Sequence, residues 1–115
     1  MTITAPKWIN LTAHALNIEG IGVLPPSGII ARCETVRTHL PNLSRTYGVR
    51  LIDQDYGEVT GIPEVVPGTE YIVSSLVLNG LKDMGVHRDD VWAPDTGPDA
   101  IRTRGVVTMV RGLVR

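Results

Sequence analysis

Alternating apolar and polar positions run through most of the chain and predict a protein built mainly of short strands. Trp8-Ile9-Asn10-Leu11-Thr12 changes face at every step, and a second short strand is expected over residues 15–19. The longest strand pattern covers residues 29–37. There Ala31, Cys33 and Thr35 share one side, and Ile30, Arg32, Glu34 and Val36 share the other. The small side is expected to pack beneath a helix or another sheet. Residues 39–44 read as a connection bearing Pro41 and Asn42, and 47–53 with 55–60 as two strands or one bent strand. Residues 71–73 read as a short buried strand, and 100–103 with 106–110 as a hairpin turning on Arg104-Gly105.

One segment carries a helical period instead. Val77, Leu81 and Met84 recur at i, i+4 and i+7, with Ser74 or Ser75 placed to cap, and this predicts a helix over residues 75–84. Gly85 fits the left-handed position after its end, with Val86 folding back on Leu81. Gly80 inside the helix is unfavourable by roughly 1 kcal/mol relative to Ala, so it is expected where something approaches closely. Turn signals separate the strands at Gly20, Gly22, Pro25-Pro26-Ser27-Gly28, Gly61-Ile62-Pro63 and Pro67-Gly68. The expected architecture is an α+β domain over residues 1–115, with residues 1–6 frayed. Its sheet is expected to be mainly antiparallel, curled or barrel-like, with one principal helix packed on it.

Composition narrows the functional classes. No apolar run exceeds three residues, which argues against a transmembrane helix or signal peptide and predicts a cytoplasmic protein. The single Cys33 allows no intramolecular disulfide, and His14, His39 and His87 are too dispersed for a local metal motif. No metal or cofactor is expected. Cys33 itself is expected to be an inert packed thiol rather than a nucleophile. Phosphate-binding P-loop, GxGxxG and GxSxG motifs are absent from the sequence. With two Trp, three Tyr and no Phe, the chain is poorly equipped to stack on single-stranded nucleic acid, which is not an expected partner.

Charge is balanced overall at −1 but segregated along the chain. Residues 53–70 carry five acids and no base, whereas 100–115 carry four arginines and no acid. One reading is that these segments are solvated faces that attract one another across the sheet or across the two-fold axis of a homo-oligomer. The other is that an arginine holds phosphate oxygens, since a planar guanidinium can grip two at once. The stiff loop 93–99, with Thr96 and Gly97 ahead of Arg102, suggests an anion-binding nest. Asn10, Thr12 and His14 are expected on one strand face as donors and acceptors for a ribose or base edge. Tyr56 or Trp92 offers a stacking surface, and Glu58 can accept from sugar hydroxyls. Ser74 and Ser75 stand where a helix N-terminus favours phosphate. Each of these also has a plain structural reading: a solvated strand face, a ring packed on a hairpin, a helix cap, a strand connection.

A resemblance brings these residues together. Ile9-Asn10-Leu11-Thr12-Ala13-His14, Pro26-Ser27-Gly28 with Ala31-Arg32, Tyr56-Gly57-Glu58-Val59 with Gly61-Ile62-Pro63, Tyr71-Ile72-Val73-Ser74 and Ala93-Pro94 resemble a family of small bacteriophage, prophage and actinobacterial proteins. The family pattern has Pro where this chain has Ala13, and it supplies no catalytic residues to carry over. Small phage domains of this kind include counter-defence proteins that sequester nucleotide immune signals. The resemblance therefore implies a non-catalytic homo-oligomer, in the host cytoplasm if phage-encoded, binding a cyclic-nucleotide or ADP-ribose-type molecule. Two alternatives stand beside it: an enzyme that cleaves such a nucleotide with His14 and Glu58 as acid and base, and a module that presents the acidic 53–70 segment to a basic host protein.

Overall fold

The computed structural model describes residues 5–115, so part of the segment expected to fray lies outside the described residues. In chain order the elements are β1 (Lys7–Asn10), β2 (Leu16–Ile18), β3 (Gly22–Leu24), β4 (Arg32–His39), α1 (Pro41–Tyr47) and β5 (Ile52–Thr60). They continue with β6 (Thr69–Ile72), α2 (Ser75–Asp83), β7 (Val91–Pro94), β8 (Ile101–Thr103), β9 (Val106–Met109) and β10 (Leu113–Val114). The fold is mixed α+β, with two helices where one was expected. The strands form an open four-stranded sheet and three two-stranded ribbons, with no closed barrel among the described residues.

The central sheet has the order β1-β6-β7-β10, with β1 parallel to β6, β6 parallel to β7, and β10 antiparallel to β7. Antiparallel pairing prevails only in the ribbons β2–β3, β4–β5 and β8–β9 and at the β10 edge. Antiparallel pairings thus outnumber parallel ones by four to two, as expected, but the centre of the molecule is parallel. The parallel strands are marked by the continuous apolar triplets Tyr71-Ile72-Val73 and Val91-Trp92-Ala93, a composition suited to strands covered on both faces. Helix α2 makes the crossover between β6 and β7 that a parallel pair requires.

Both faces of this sheet are covered. On one, Tyr71, Val73, Val91 and Ala93 pack with Leu11 against Val77, Leu78 and Leu81 of α2. On the other, Ile72 packs with Ile18, Ala100 and Val110, with Trp8, Leu24 and Leu113 at the margin. Helix α2 forms as its sequence predicts. Ser74 is the N-cap and its hydroxyl accepts from the Val77 amide at 3.3 Å. At the other end Gly85 is left-handed, with φ of 73°, and the Val86 amide donates to the Leu81 carbonyl at 3.0 Å. Gly80 is needed for close approach, because a Cβ there would lie 2.5 Å from Cys33 Sγ and 3.1 Å from a Val59 methyl. The small side of β4 thus packs under a helix.

Residues 32–60 form an arm of different character. Strands β4 and β5 pair along their length as a two-stranded ribbon joined by α1, and no residue from 32 to 60 is buried. The register shifts between Cys33 and Thr35, where a Cβ on Gly57 would crowd Glu34. Helix α1 replaces the irregular connection expected at residues 39–44. Pro41 starts it, and left-handed Gly48, with φ of 70°, ends it by donating to the Ser44 carbonyl. It buries no residue, so its sequence carries no apolar stripe from which a helix could be read. The arm makes the molecule elongated at 63 × 36 × 26 Å. Its radius of gyration is 17.3 Å, against roughly 13 Å for a compact domain of this length.

Candidate functional site

The site is built outward from Asn10, the last residue of β1. Asn10 is 1% exposed, and its carboxamide organises the chain that follows. Its Nδ2 donates to the carbonyls of His14 and Leu24 at 2.8 and 3.0 Å, while its Oδ1 accepts from the Thr12 amide and hydroxyl at 2.9 and 2.7 Å. The Asn10 carbonyl in turn accepts from the Ser27 amide and hydroxyl, which pins the Pro25-Pro26-Ser27-Gly28 turn against it. These bonds correct the expected strand face of Asn10, Thr12 and His14. The strand stops at Asn10 because Leu11 turns into the core and the side chains of Asn10 and Thr12 take over the hydrogen bonding. Asn10 holds the loop and is closed to a ligand.

The loop that Asn10 shapes forms one wall of a cleft of about 320 Å³. Thr12 and His14 line it from this loop, Arg32 and Cys33 from the start of β4, and Ser74 and Leu76 from the N-terminal turn of α2. The Ala31 amide donates to the Leu11 carbonyl at 2.9 Å and fixes the loop against the start of β4. Because the Ser74 hydroxyl serves the Val77 amide, the amides of Ser75 and Leu76 are left without intrahelical acceptors. The positive end of the helix dipole adds to this donor surface. Arg32 is exposed and takes part in none of the ion pairs among the described residues. No carboxylate lines the cleft. Its lining is mainly apolar, with the Arg32 guanidinium and the first amides of α2 as donors at its edge and no acidic group.

Of the residues singled out by sequence, Thr12, His14 and Ser74 come together here, and Ser75 contributes the adjoining helical turn. The others lie elsewhere. Tyr56, 36% exposed, pairs with Thr35 on the arm, and Glu58 sits in the arm's irregularity beside Gly57. Trp92 lies on β7, with the Arg115 guanidinium 4.6 Å from its ring centroid and its indole nitrogen buried without a partner. Arg102 donates to the carbonyls of Thr96, Gly97 and Ala100 at 2.6, 3.1 and 3.4 Å. The Gly97 amide, expected to face an anion, donates instead to Asp95 Oδ1 at 3.0 Å. Arg102 and its loop thus satisfy each other, with carbonyls rather than amides turned toward the guanidinium.

Sequence reasoning missed Arg32, although it follows the Pro-Pro-Ser-Gly turn that the fold presses against the cleft. It also missed the pair Arg88–Asp90, only two residues apart. Arg88 Nε and a terminal nitrogen hold the two Asp90 oxygens at 2.7 and 2.9 Å, and that terminal nitrogen also donates to the Pro63 carbonyl at 2.9 Å. The hydrogen bond from Arg88 holds the Asp90 carboxyl below the usual carboxylate range despite its burial, and the same bond raises Arg88. This pair braces the loop before β6 against the sheet and stands apart from the cleft. No family model, curated protein or solved structure matches the chain.

Proposed function

We propose that the protein binds a nucleotide-derived signal, of the cyclic-nucleotide or ADP-ribose type, in the cleft at the N-terminus of α2 and sequesters it without cleaving it. The observation that carries this reading is the convergence of Thr12, His14, Arg32 and the Ser74 cap from three separate segments on one recess. A phosphate there meets the amides of Ser75 and Leu76 and the Arg32 guanidinium, the two kinds of donor best suited to it. The Leu76 and Val77 side accepts an apolar body, and a volume of about 320 Å³ falls at the small end of ligand pockets. Non-catalytic binding is favoured over cleavage because His14 has no carboxylate beside it in the cleft. Glu58, the other half of an acid–base pair, lies on β5 and does not line the cleft. Sequestration as a phage counter-defence activity agrees with the sequence resemblance to small phage proteins.

Thermal-shift measurement against ADP-ribose, cyclic mononucleotides and cyclic dinucleotides tests the reading. One of these is expected to raise the melting temperature and to return intact after the complex is denatured. A charged hydrogen bond is worth roughly 1.5–3 kcal/mol, so Arg32→Ala is expected to weaken binding by about one to two powers of ten. Arg102→Ala is expected to leave affinity unchanged. Absence of any shift across the panel, or recovery of a cleaved molecule, overturns the proposal.

A further inference from the structure

The arm is a folded segment without a core of its own. None of its residues from 32 to 60 is buried, and Val36, Leu43, Tyr47 and Val49 all stand exposed, Tyr47 at 67%. A two-stranded ribbon is at best marginally stable in water, and both outer edges of β4–β5 present unpaired backbone groups. A surface of this kind calls for a partner, and its charges indicate which.

Residues that face each other across the ribbon share a side, and successive rungs alternate. The rungs Arg37–Gln54 and His39–Ile52 therefore lie on one side, and Thr38–Asp53 and Val36–Asp55 on the other. Arg50 joins Arg37 and His39 around one shallow depression, which gives that side a cluster of cations. The opposite side presents Asp53 and Asp55. None of Arg37, Arg50, Asp53 and Asp55 engages in an ion pair among the described residues. Across residues 32–60 the four arginines are matched by four carboxylates, so the arm as a whole has no excess positive charge for a polyanion. What it has is one side complementary to its other side.

We infer that the arm docks on the arm of a second copy of this chain, with the Arg37–Arg50 side of one copy against the Asp53–Asp55 side of the next. The contact joins two different surfaces, so it is head-to-tail and closes as a ring or extends as a chain. The exposed Val36 lies on the acidic side, directly across the ribbon from Asp55, and is covered by the same contact. This assembly does not depend on the cleft being a nucleotide site.

Light scattering of the full chain at high micromolar concentration, with two charge-reversed variants, tests the inference. Wild type is expected to show at least twice the 12.5 kDa mass of one copy. Arg37→Glu with Arg50→Glu makes both sides acidic, and Asp53→Arg with Asp55→Arg makes both sides basic. Each double variant alone is expected at 12.5 kDa, and their equimolar mixture is expected to associate. All four side chains are exposed, and unfolding curves that match wild type verify that each variant is folded. A monomeric wild type, a variant that keeps the wild-type mass, or a mixture that stays monomeric overturns the inference. So does a monomeric wild type that retains duplex DNA through Arg37 and Arg50, which would assign the arm to nucleic acid.

Discussion

The two-faced central sheet and the β4–α1–β5 arm are made from the same chain by opposite means. In the first, strands of continuous apolar residues are sandwiched between α2 and the short ribbons, and the side chains of Leu11, Ile72, Val73 and Val91 are wholly out of water. In the second, the backbone pairs only across the inner edges of the ribbon while every side chain remains at least partly wet. Backbone pairing alone contributes little net stability, because the unfolded chain bonds to water instead. The comparison teaches that the sheet and α2 carry a complete core and set most of the cleft's walls, to which only the base of the arm adds Arg32 and Cys33. The arm has no such core, and under the proposed assembly it gains stability from a second copy.

The comparison sharpens if damage to the core is large and damage to the arm small in dilute solution. The largest effect is expected for Asp90→Asn, which leaves the part-buried Arg88 without its counter-charge. Breaking such a pair typically removes about 3 kcal/mol, a fall of roughly 10 °C in melting temperature for a domain of this size. Calorimetric unfolding checks it. Next comes Gly80→Ala, which in an open helix would be stabilising by roughly 1 kcal/mol. Here the added methyl meets Cys33 Sγ, and overpacking of this kind is unfavourable by about 1–3 kcal/mol. Denaturant titration should show the loss, and a Cys33→Ala substitution added to it should recover part.

How far these elements could be read from sequence follows the same division. Helix α2 was legible because burial writes a period into Val77, Leu81 and Met84 and because Ser74 and Gly85 mark its ends. The Arg104-Gly105 turn was legible because both residues adopt positive φ, 54° and 80°. Helix α1 was not, since nothing in it is buried and no period arises. Parallel pairing of β1, β6 and β7 was hidden because an apolar triplet reveals a covered strand but not its neighbour. The cleft was half legible: Thr12, His14 and Ser74 carry recognisable chemistry, but Arg32 joins them only through the pinning of Ala31 to Leu11. The 93–99 loop misled because composition reveals a stiff loop without showing whether amides or carbonyls face Arg102.

A smaller effect is expected from acid. Asp90 titrates below its unfolded value, so its contribution is fully present above the unfolded pKa of about 3.9 and is lost as pH falls through the lower folded value. The wild type should lose stability steeply below about pH 4, and Asp90→Asn should lack that component of the decline. A comparable curve for the two proteins would remove Asp90 from the account. The smallest effect is expected from Val49→Ala in the arm, within about 0.5 kcal/mol of wild type when measured on dilute monomer. A loss there as large as that of Gly80→Ala would show that the arm is stabilised from within.

The division between sheet and arm is tested most directly by amide hydrogen exchange at low and high protein concentration. The amides of β6, α2 and β7 are expected to be protected equally at both, because the core around Ile72, Val73 and Val77 is complete in one copy. Those of β4 and β5 beyond Cys33 are expected to exchange quickly in dilute solution and to gain protection as copies associate. Arm amides as protected as those of β6 in the dilute sample, with no change on concentration, would contradict the account.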